Sequence, residues 1–323
     1  MRILVTGAAG FVGARACSHF ETAGHKVVRV SHSNSAGASM ESESSYVVDV
    51  ADPKAFVTLD GVDKIDAIVH CAGIAHRFGR TSRDEFWRVN VDGSAHVAEF
   101  AARRGIARFV HLSSVLVYGL SNSDQPITEE QLPSPGDDYP SSKLAGEEAV
   151  ESVCKAAGIK LVILRPVPII GEGSRGNVAR LIRVIDRGRF IWVGDGRNER
   201  SFVYVADVAE AILTALSLPD DIAKFNVTGG TMTIKEMVDN ISTNLGRSAP
   251  ANLVSFGAAN FALAISTPLA GVPSVGRYQR TLETWLSNAV YSGAALANKG
   301  FVSTIDLREA LKREVHYYLA SKG

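Results

Sequence analysis

Cysteine is scarce in this chain of 323 residues, and Cys17, Cys71 and Cys154 lie far apart. Their spacing offers neither a disulfide framework nor a metal-ligand set, so they read as buried small hydrophobic groups in a reducing compartment. An excess of either charge is also lacking. Lys plus Arg and Asp plus Glu are both 34, giving a formal net charge of zero. No basic field is present to hold nucleic acid. No uninterrupted apolar run is long enough to span a bilayer. His70, His76, His96 and His111 show no metal spacing, so no metal is expected. "MRILVTGAAG" enters a strand at once, with no room for a secretory signal. These absences lead to the expectation of a cytoplasmic protein that binds neither nucleic acid nor metal.

What is present is a regular alternation. "RILVTG", "KVVRVS", "AIVHCAG", "RFVHLSS" and "KLVILRP" read as strands. Between them, "FVGARACSHFETAG", "SAHVAEFAARRG" and "SKLAGEEAVESVCKAAG" carry apolar faces at helical spacing. Strand-helix alternation predicts an α/β fold with a doubly wound parallel sheet. Residues 31–45 and 121–138 read as polar loops. After Pro166 the alternation weakens: "ARLIRVIDRG" reads as a helix, "RFIWVGDG" as a strand, and "FVYVADVAEAILTALSL" as a strand running into a helix. "KFNVTGG" adds a strand, and an amphipathic helix near "LREALKREVHYYLASKG" closes the chain. The expected division is a dinucleotide-binding unit of residues 1–165 plus about 202–228 and a smaller, partly discontinuous C-terminal α/β unit of 166–201 plus 229–323. The site would lie in the cleft between them.

"TGAAGFVG" places Gly7, Gly10 and Gly13 at the junction of the first strand and first helix. This is the arrangement for a tight turn, a close backbone approach to a pyrophosphate, and close helix–strand packing, in that order. The pyrophosphate would rest on the helix N-terminus at Phe11 and Val12. The second strand ends in Ser31 and His32 where an acidic residue would meet the ribose, which leaves NAD and NADP both open. Asp49 and Val50 end the next short strand, where Asp49 would accept from the adenine amino group or cap a helix. The strand "FVHLSSVLVYG" brings Ser113 and Ser114 to the carboxyl edge of the sheet. In "DDYPSSKLAGEE", Tyr139 and Lys143 fall on one helix face. A lysine ammonium beside a phenol favours the phenolate, and such a tyrosine can act as a general base. Pro140 is tolerable only in a first helical turn, so the helix is expected to start there.

With "TGAAGFVG", "HCAG", "VNVDGS", "LSSVLVYG", "YPSSK", "RPVPIIG" and "GDGRNERSFVYVADVAEA", the chain resembles an extended short-chain dehydrogenase/reductase of the nucleotide-sugar epimerase and dehydratase branch. The resemblance implies a Rossmann fold and a tightly bound NAD or NADP. It implies acid/base work by Tyr139, a nicotinamide-ribose contact and tyrosine activation by Lys143, and a hydrogen bond from Ser114 to the reacting hydroxyl. Cys71, Ala72, Gly73, Asn90 and Pro166 match family positions along the cofactor, with a structural role open for Asn90. Arg200 and Asn177 match positions that meet a substrate diphosphate, and His76 is carried over as a substrate contact. A surface salt bridge to Glu199 or Asp195 is the alternative for Arg200. A homodimer is a further expectation of the resemblance.

Dehydratases of this branch resemble one another in an Asp-Glu pair after the catalytic serine or threonine. Here Val115 and Leu116 stand in those places and cannot shuttle protons. Oxidation-reduction at one carbinol is what remains: a 4-epimerase, or an NADPH-dependent 4-ketoreductase. "GIAHR", "GEGSRGNVARLIRVIDRGRFIWVGDGRN" and "GFVSTIDLREALKREVHYYL" are similar to polyprenyl-diphosphate N-acetylglucosamine 4-epimerases and to UDP-hexulose 4-reductases. The uncharged stretch at 256–272 reads first as core helices of the smaller unit or a dimer contact, with peripheral contact at the inner membrane surface as the alternative.

Overall fold

The computed structural model describes residues 1–32, 44–75, 81–119, 125–250, 253–254 and 287–322. His76, the stretch 256–272, and residues 33–43 and 121–124 of the two polar loops lie outside that set.

The apolar runs of the first half are strands because they are buried on both faces, where β-branched and leucine side chains pack against helices above and below. Strands β1 (Arg2–Thr6), β2 (Lys26–Ser31), β3 (Ser45–Val47), β4 (Ala67–His70), β5 (Arg108–Leu112) and β6 (Lys160–Pro166) form one sheet. A seventh strand, β10 (Ile222–Val227), joins it from the second half of the chain. The order is β3-β2-β1-β4-β5-β6-β10, and every pairing is parallel. The order reverses between β1 and β4, which opens a crevice at their carboxyl ends.

Helix α1 (Phe11–Thr22) lies on one face of the sheet, over a core of Val5, Phe20, Val110, Val162 and Leu164. On the other face, α3 (Gly93–Arg103) and α4 (Asp138–Ala157) cover Leu4, Ile68, Phe109 and Leu161. A short α2 (Arg83–Trp87) runs into α3 through one π turn, Arg88–Asp92. Pro140 is the third residue of α4, where its missing N–H has no helical acceptor to lose.

A smaller sheet of β7 (Ile169–Ile170), β9 (Glu199–Tyr204) and β11 (Gly230–Thr233) packs with α5 (Asn177–Asp186), α7 (Ile234–Asn244) and the C-terminal α9 (Leu307–Ala320). Between β9 and β10, α6 (Val205–Ser217) crosses back to the large sheet and packs on α1. Within "RFIWVGDG" the strand is only β8 (Trp192–Val193), paired with β12 (Leu253–Val254). Two buried carboxylates tie the C-terminal segment down. Asp207 of α6 accepts from Ser303, from Thr304 Oγ1 and from the Thr304 amide. Asp186, at the end of α5, accepts from Arg247, Tyr318 and Lys322. Among the described residues no helix is long and apolar enough to cross a membrane.

Candidate active site

The crevice begins at the glycine turn. Gly7 has φ +70°, and a Cβ there would stand 2.7 Å from the Ala72 nitrogen, so the turn and the segment after β4 touch backbone to backbone. A Cβ on Gly13 would fall 2.1 Å from the Gly7 carbonyl oxygen, which is why α1 can pack so close to β1. Gly10 caps α1 without a side-chain hydrogen bond. The first-turn amides of Phe11 and Val12 therefore face outward as ready donors to an anion. This cradle fits the pyrophosphate of a dinucleotide.

Ser114, Tyr139 and Lys143 converge at the carboxyl edge of β5. Ser114 follows the strand and caps a 3-10 turn, Val115–Tyr118, by accepting from the Leu116 amide at 3.2 Å. The Ser114 side chain lies near the Tyr139 phenol and favours its phenolate. The Tyr139 ring rests on Phe86, with ring centroids 5.8 Å apart. Lys143 is buried one turn further along α4, and its Nζ donates to the Leu112 carbonyl oxygen at 2.7 Å. Gly73 borders the ammonium: a Cβ there would be 3.7 Å from Nζ and 3.1 Å from Asn90 Oδ1.

The electrostatics differ from the sequence expectation in one respect. Burial pushes the Tyr139 phenol above its ordinary value, and Ser114 is the group that opposes this; Lys143 does not act on it directly. Desolvation in turn lowers the Lys143 ammonium to about 8, with Glu147 and Cys71 pulling the other way. The reason is geometric. In the protein alone the ammonium is turned to the Leu112 carbonyl rather than to the phenol.

Asn90 takes the structural role left open by the sequence, while its partners Ser94, Ser142 and Thr6 carried no mark there. The Asn90 side chain accepts from the Ile74 amide at 2.9 Å and donates to the Ile74 carbonyl at 3.1 Å, fixing the loop that begins at Cys71. It also donates to Ser142 Oγ at 3.0 Å. Ser94 Oγ donates its one hydrogen to the Asn90 carbonyl at 2.7 Å, so it must accept from His70 Nε2 at 3.0 Å. His70 Nδ1 then accepts from the Thr6 hydroxyl at 2.7 Å. That assignment requires a neutral imidazole, and burial lowers His70 to about 3. One chain of hydrogen bonds thus runs from β1 through β4 and the π turn to α4. Local excursions from α-helical register recur at functional sites, and this one frees the Asn90 carbonyl for Ser94.

At the adenosine end β3 stops at Val47, so Asp49 and Val50 lie just beyond the strand rather than ending it. Asp49 Oδ1 accepts from the Ala51 amide at 3.0 Å, while Oδ2 faces Arg88 at 3.1 Å. His32 Nδ1 is 3.7 Å from Asp49, and His32 lies one residue past Ser31 at the end of β2. Partial burial works to raise the Asp49 carboxyl, but the Ala51 amide, Arg88 and His32 outweigh it and hold the group below its usual range. The helix-capping role belongs to Asp52, which accepts from the Lys54 amide. Val50 is buried against Gly93. Pro166 ends β6, next to the edge that carries Ser113.

On the substrate side, Asn177 is the exposed first residue of α5. Arg200 donates to the Ser287 carbonyl at 3.3 Å, and burial lowers its guanidinium from the usual value. Among the described residues no carboxylate lies within ion-pair distance of Arg200, and Asp195 pairs with Arg197 instead. His76 lies outside the described residues.

The model of the NAD dependent epimerase/dehydratase family matches residues 3–228. The chain is 26% identical to the N-acetyl-alpha-D-glucosaminyl-diphospho-ditrans,octacis-undecaprenol 4-epimerase of Escherichia coli, covering 98% of this chain and 94% of that one. It is 28% identical to the 2-alkyl-3-oxoalkanoate reductase of Stenotrophomonas maltophilia, covering 97% and 98%. The fold superposes on the UDP-glucose 4-epimerase of Thermotoga maritima with a TM-score of 0.80 at 21% identity, over the whole of both chains. The UDP-glucuronic acid 4-epimerase of Bacillus cereus, solved with NAD, gives 0.78 at 22% identity, again over both whole chains. The chain therefore belongs to the NAD-dependent epimerase/dehydratase family. It is an NAD(P)-dependent enzyme of the extended short-chain dehydrogenase/reductase type.

Proposed function

We propose that the protein is an NAD(P)-dependent 4-epimerase of a diphosphate-linked sugar, carried by UDP or by a polyprenyl diphosphate. The observation that supports this most directly is Ser114 set against the Tyr139 phenol, one helical turn before Lys143, with Val115 and Leu116 in place of proton-shuttling side chains. Gly7, Gly10, Phe11, Val12 and Gly13 would hold the pyrophosphate, Lys143 the nicotinamide ribose, and Arg200 with Asn177 the substrate diphosphate. The cofactor would supply reversible hydride transfer at the carbinol carbon.

Tyr139 takes the proton from the sugar 4-hydroxyl and gives it back to the same oxygen after the sugar has turned over. Ser114 holds that oxygen throughout. The Lys143 ammonium, turned to the Leu112 carbonyl rather than to the phenol, would hold the nicotinamide ribose. Arg200, free of any carboxylate partner among the described residues, keeps its charge for the diphosphate about which the sugar turns.

A second reading, an NADPH-consuming ketoreductase, draws support from Ser31. A neutral residue at the end of β2 does not repel a 2'-phosphate as an aspartate would, and the similarity to a reductase extends over nearly the whole chain.

The test is to incubate a trace of enzyme with polyprenyl-diphosphate N-acetylglucosamine and with UDP-N-acetylglucosamine separately, adding no reduced cofactor. Appearance of the 4-epimer in either reaction is the expected result, and the responding substrate identifies the carrier. No epimer in either, from enzyme with bound cofactor and with NADPH oxidised on addition of a keto substrate, would overturn it in favour of the reductase.

A further inference from the structure

Lys143 and Glu147 stand four residues apart on α4, the spacing at which a lysine and a glutamate ordinarily pair. Both are buried, where such a pair would be drawn together most strongly. They are not partners. Glu147 Oε1 accepts from Ser113 Oγ at 2.5 Å and from Arg165 Nε at 3.0 Å, and Oε2 accepts from Arg165 Nη2 at 2.6 Å. The guanidinium thus grips both carboxylate oxygens in a fork, from the neighbouring strand β6. Arg165 is itself held from behind. Its Nη1 donates to Tyr118 Oη at 2.9 Å, and that hydroxyl donates to Asn226 Oδ1 of β10 at 3.0 Å.

We propose that Ser113 and Arg165 are positioning residues that lock Glu147 away from Lys143, leaving the ammonium without a direct ion-pair partner on the cofactor side of the site. Three buried charges then sum to one positive charge, and it resides on Lys143. One ammonium hydrogen is spent on the Leu112 carbonyl, and Gly73 borders the group on the cofactor side. Without the lock, Glu147 would swing to its i−4 neighbour and neutralise the positive charge that faces the cofactor side. The inference rests on the proposed role of Lys143, so its test reads Lys143 directly and not only turnover.

The full chain, labelled with ¹³C at lysine Cε, is titrated by NMR, with the Lys143 signal assigned by its loss in Lys143→Arg. Arg165→Met is expected to raise the Lys143 titration midpoint, lowering its amine-to-ammonium ratio at pH 8 by about tenfold, which corresponds to one pH unit. Arg165→Met also strips a buried carboxylate of its partner, so Ser113→Ala serves as the milder variant. It should move the midpoint the same way, by roughly threefold in that ratio. Glu147→Gln should move it in the opposite direction, and Tyr118→Phe, which leaves all three bonds to Glu147, should not move it. An unchanged or lowered midpoint in folded Ser113→Ala would overturn the inference, as would an equal shift in Tyr118→Phe. A shift as expected, with oxidised-cofactor affinity and turnover both unaltered, would support the lock and count against the cofactor role of Lys143.

Discussion

Asn90 Nδ2 donates to Ser142 Oγ at 3.0 Å, and that same hydroxyl donates to the Tyr139 carbonyl oxygen at 2.8 Å. The backbone of the candidate acid/base is therefore tied to the π turn, and through it to β4 and β1. Ser142→Ala removes this tie without touching the phenol. The expected outcome is a fall in kcat of about 10-fold, since small misplacements of reacting groups are costly. KM should stay within roughly a factor of two, because no substrate contact is lost. Steady-state kinetics at one pH, with thermal unfolding to confirm the fold, check it.

Ser114 is the group that opposes the upward push of burial on Tyr139. In Ser114→Ala that opposition is gone, so the phenol titrates higher still. The phenolate is the working form in the first half-reaction. The rise of kcat/KM with pH should therefore shift to higher pH, with a plateau lower by about 10²-fold or more from loss of the oxygen's hydrogen bond. A pH profile that keeps its midpoint would refute the assignment.

Gly146 faces the π turn closely enough that a Cβ would lie 2.3 Å from the Asn90 carbonyl oxygen. Gly146→Ala must push α4 off that turn and is expected to cost about 1–3 kcal/mol of stability. Gly136, just ahead of α4, has nothing within 4 Å of its Cβ position. Gly136→Ala should stay within about 0.5 kcal/mol. Denaturant unfolding of the two variants side by side makes the comparison.

Glu314 of α9 is buried, and its Oε2 accepts from the Gly171 amide at 2.9 Å. Burial raises its carboxyl to about 7, against the lowering effects of Gly171 and Ser174. The folded protein thus holds a proton there that the unfolded chain has already released, from the ordinary carboxylate range up to about 7. Across that window stability should fall as pH rises, and the loss is complete above it. Glu314→Gln, which keeps an acceptor oxygen, should remove this slope and raise stability at pH 8 by about 1–3 kcal/mol. Unfolding midpoints at pH 5 and pH 8 for both proteins decide it.

Much of the frame is legible in the sequence. Strands such as "AIVHCAG" and "KLVILRP" can be read because buried parallel strands are nearly continuous apolar runs. Helix α4 can be read from its amphipathic spacing and its left-handed terminal Gly158. Local signals weaken after Pro166, and there "RFIWVGDG" yields only a two-residue strand. Strand pairing in the smaller sheet depends on partners far along the chain. Glu147, four residues after Lys143, was visible as a pattern. Its true partner Arg165 was not, because a buried arginine at the end of a strand carries no mark of what it faces. The same holds for Arg88, which reaches Asp49 across 39 positions.

The sequence by itself determined the glycine turn, the parallel sheet and the serine, tyrosine and lysine that meet at its edge. Each depends on neighbours close in the chain, through backbone freedom, periodicity or helical spacing. Only the tertiary structure decided which charges pair, which imidazole nitrogen bears a proton, and where the Lys143 ammonium points. Those outcomes are competitions among groups from different strands and helices. They are settled by burial and by the number of donors each buried oxygen can find, and neither exists until the chain has folded.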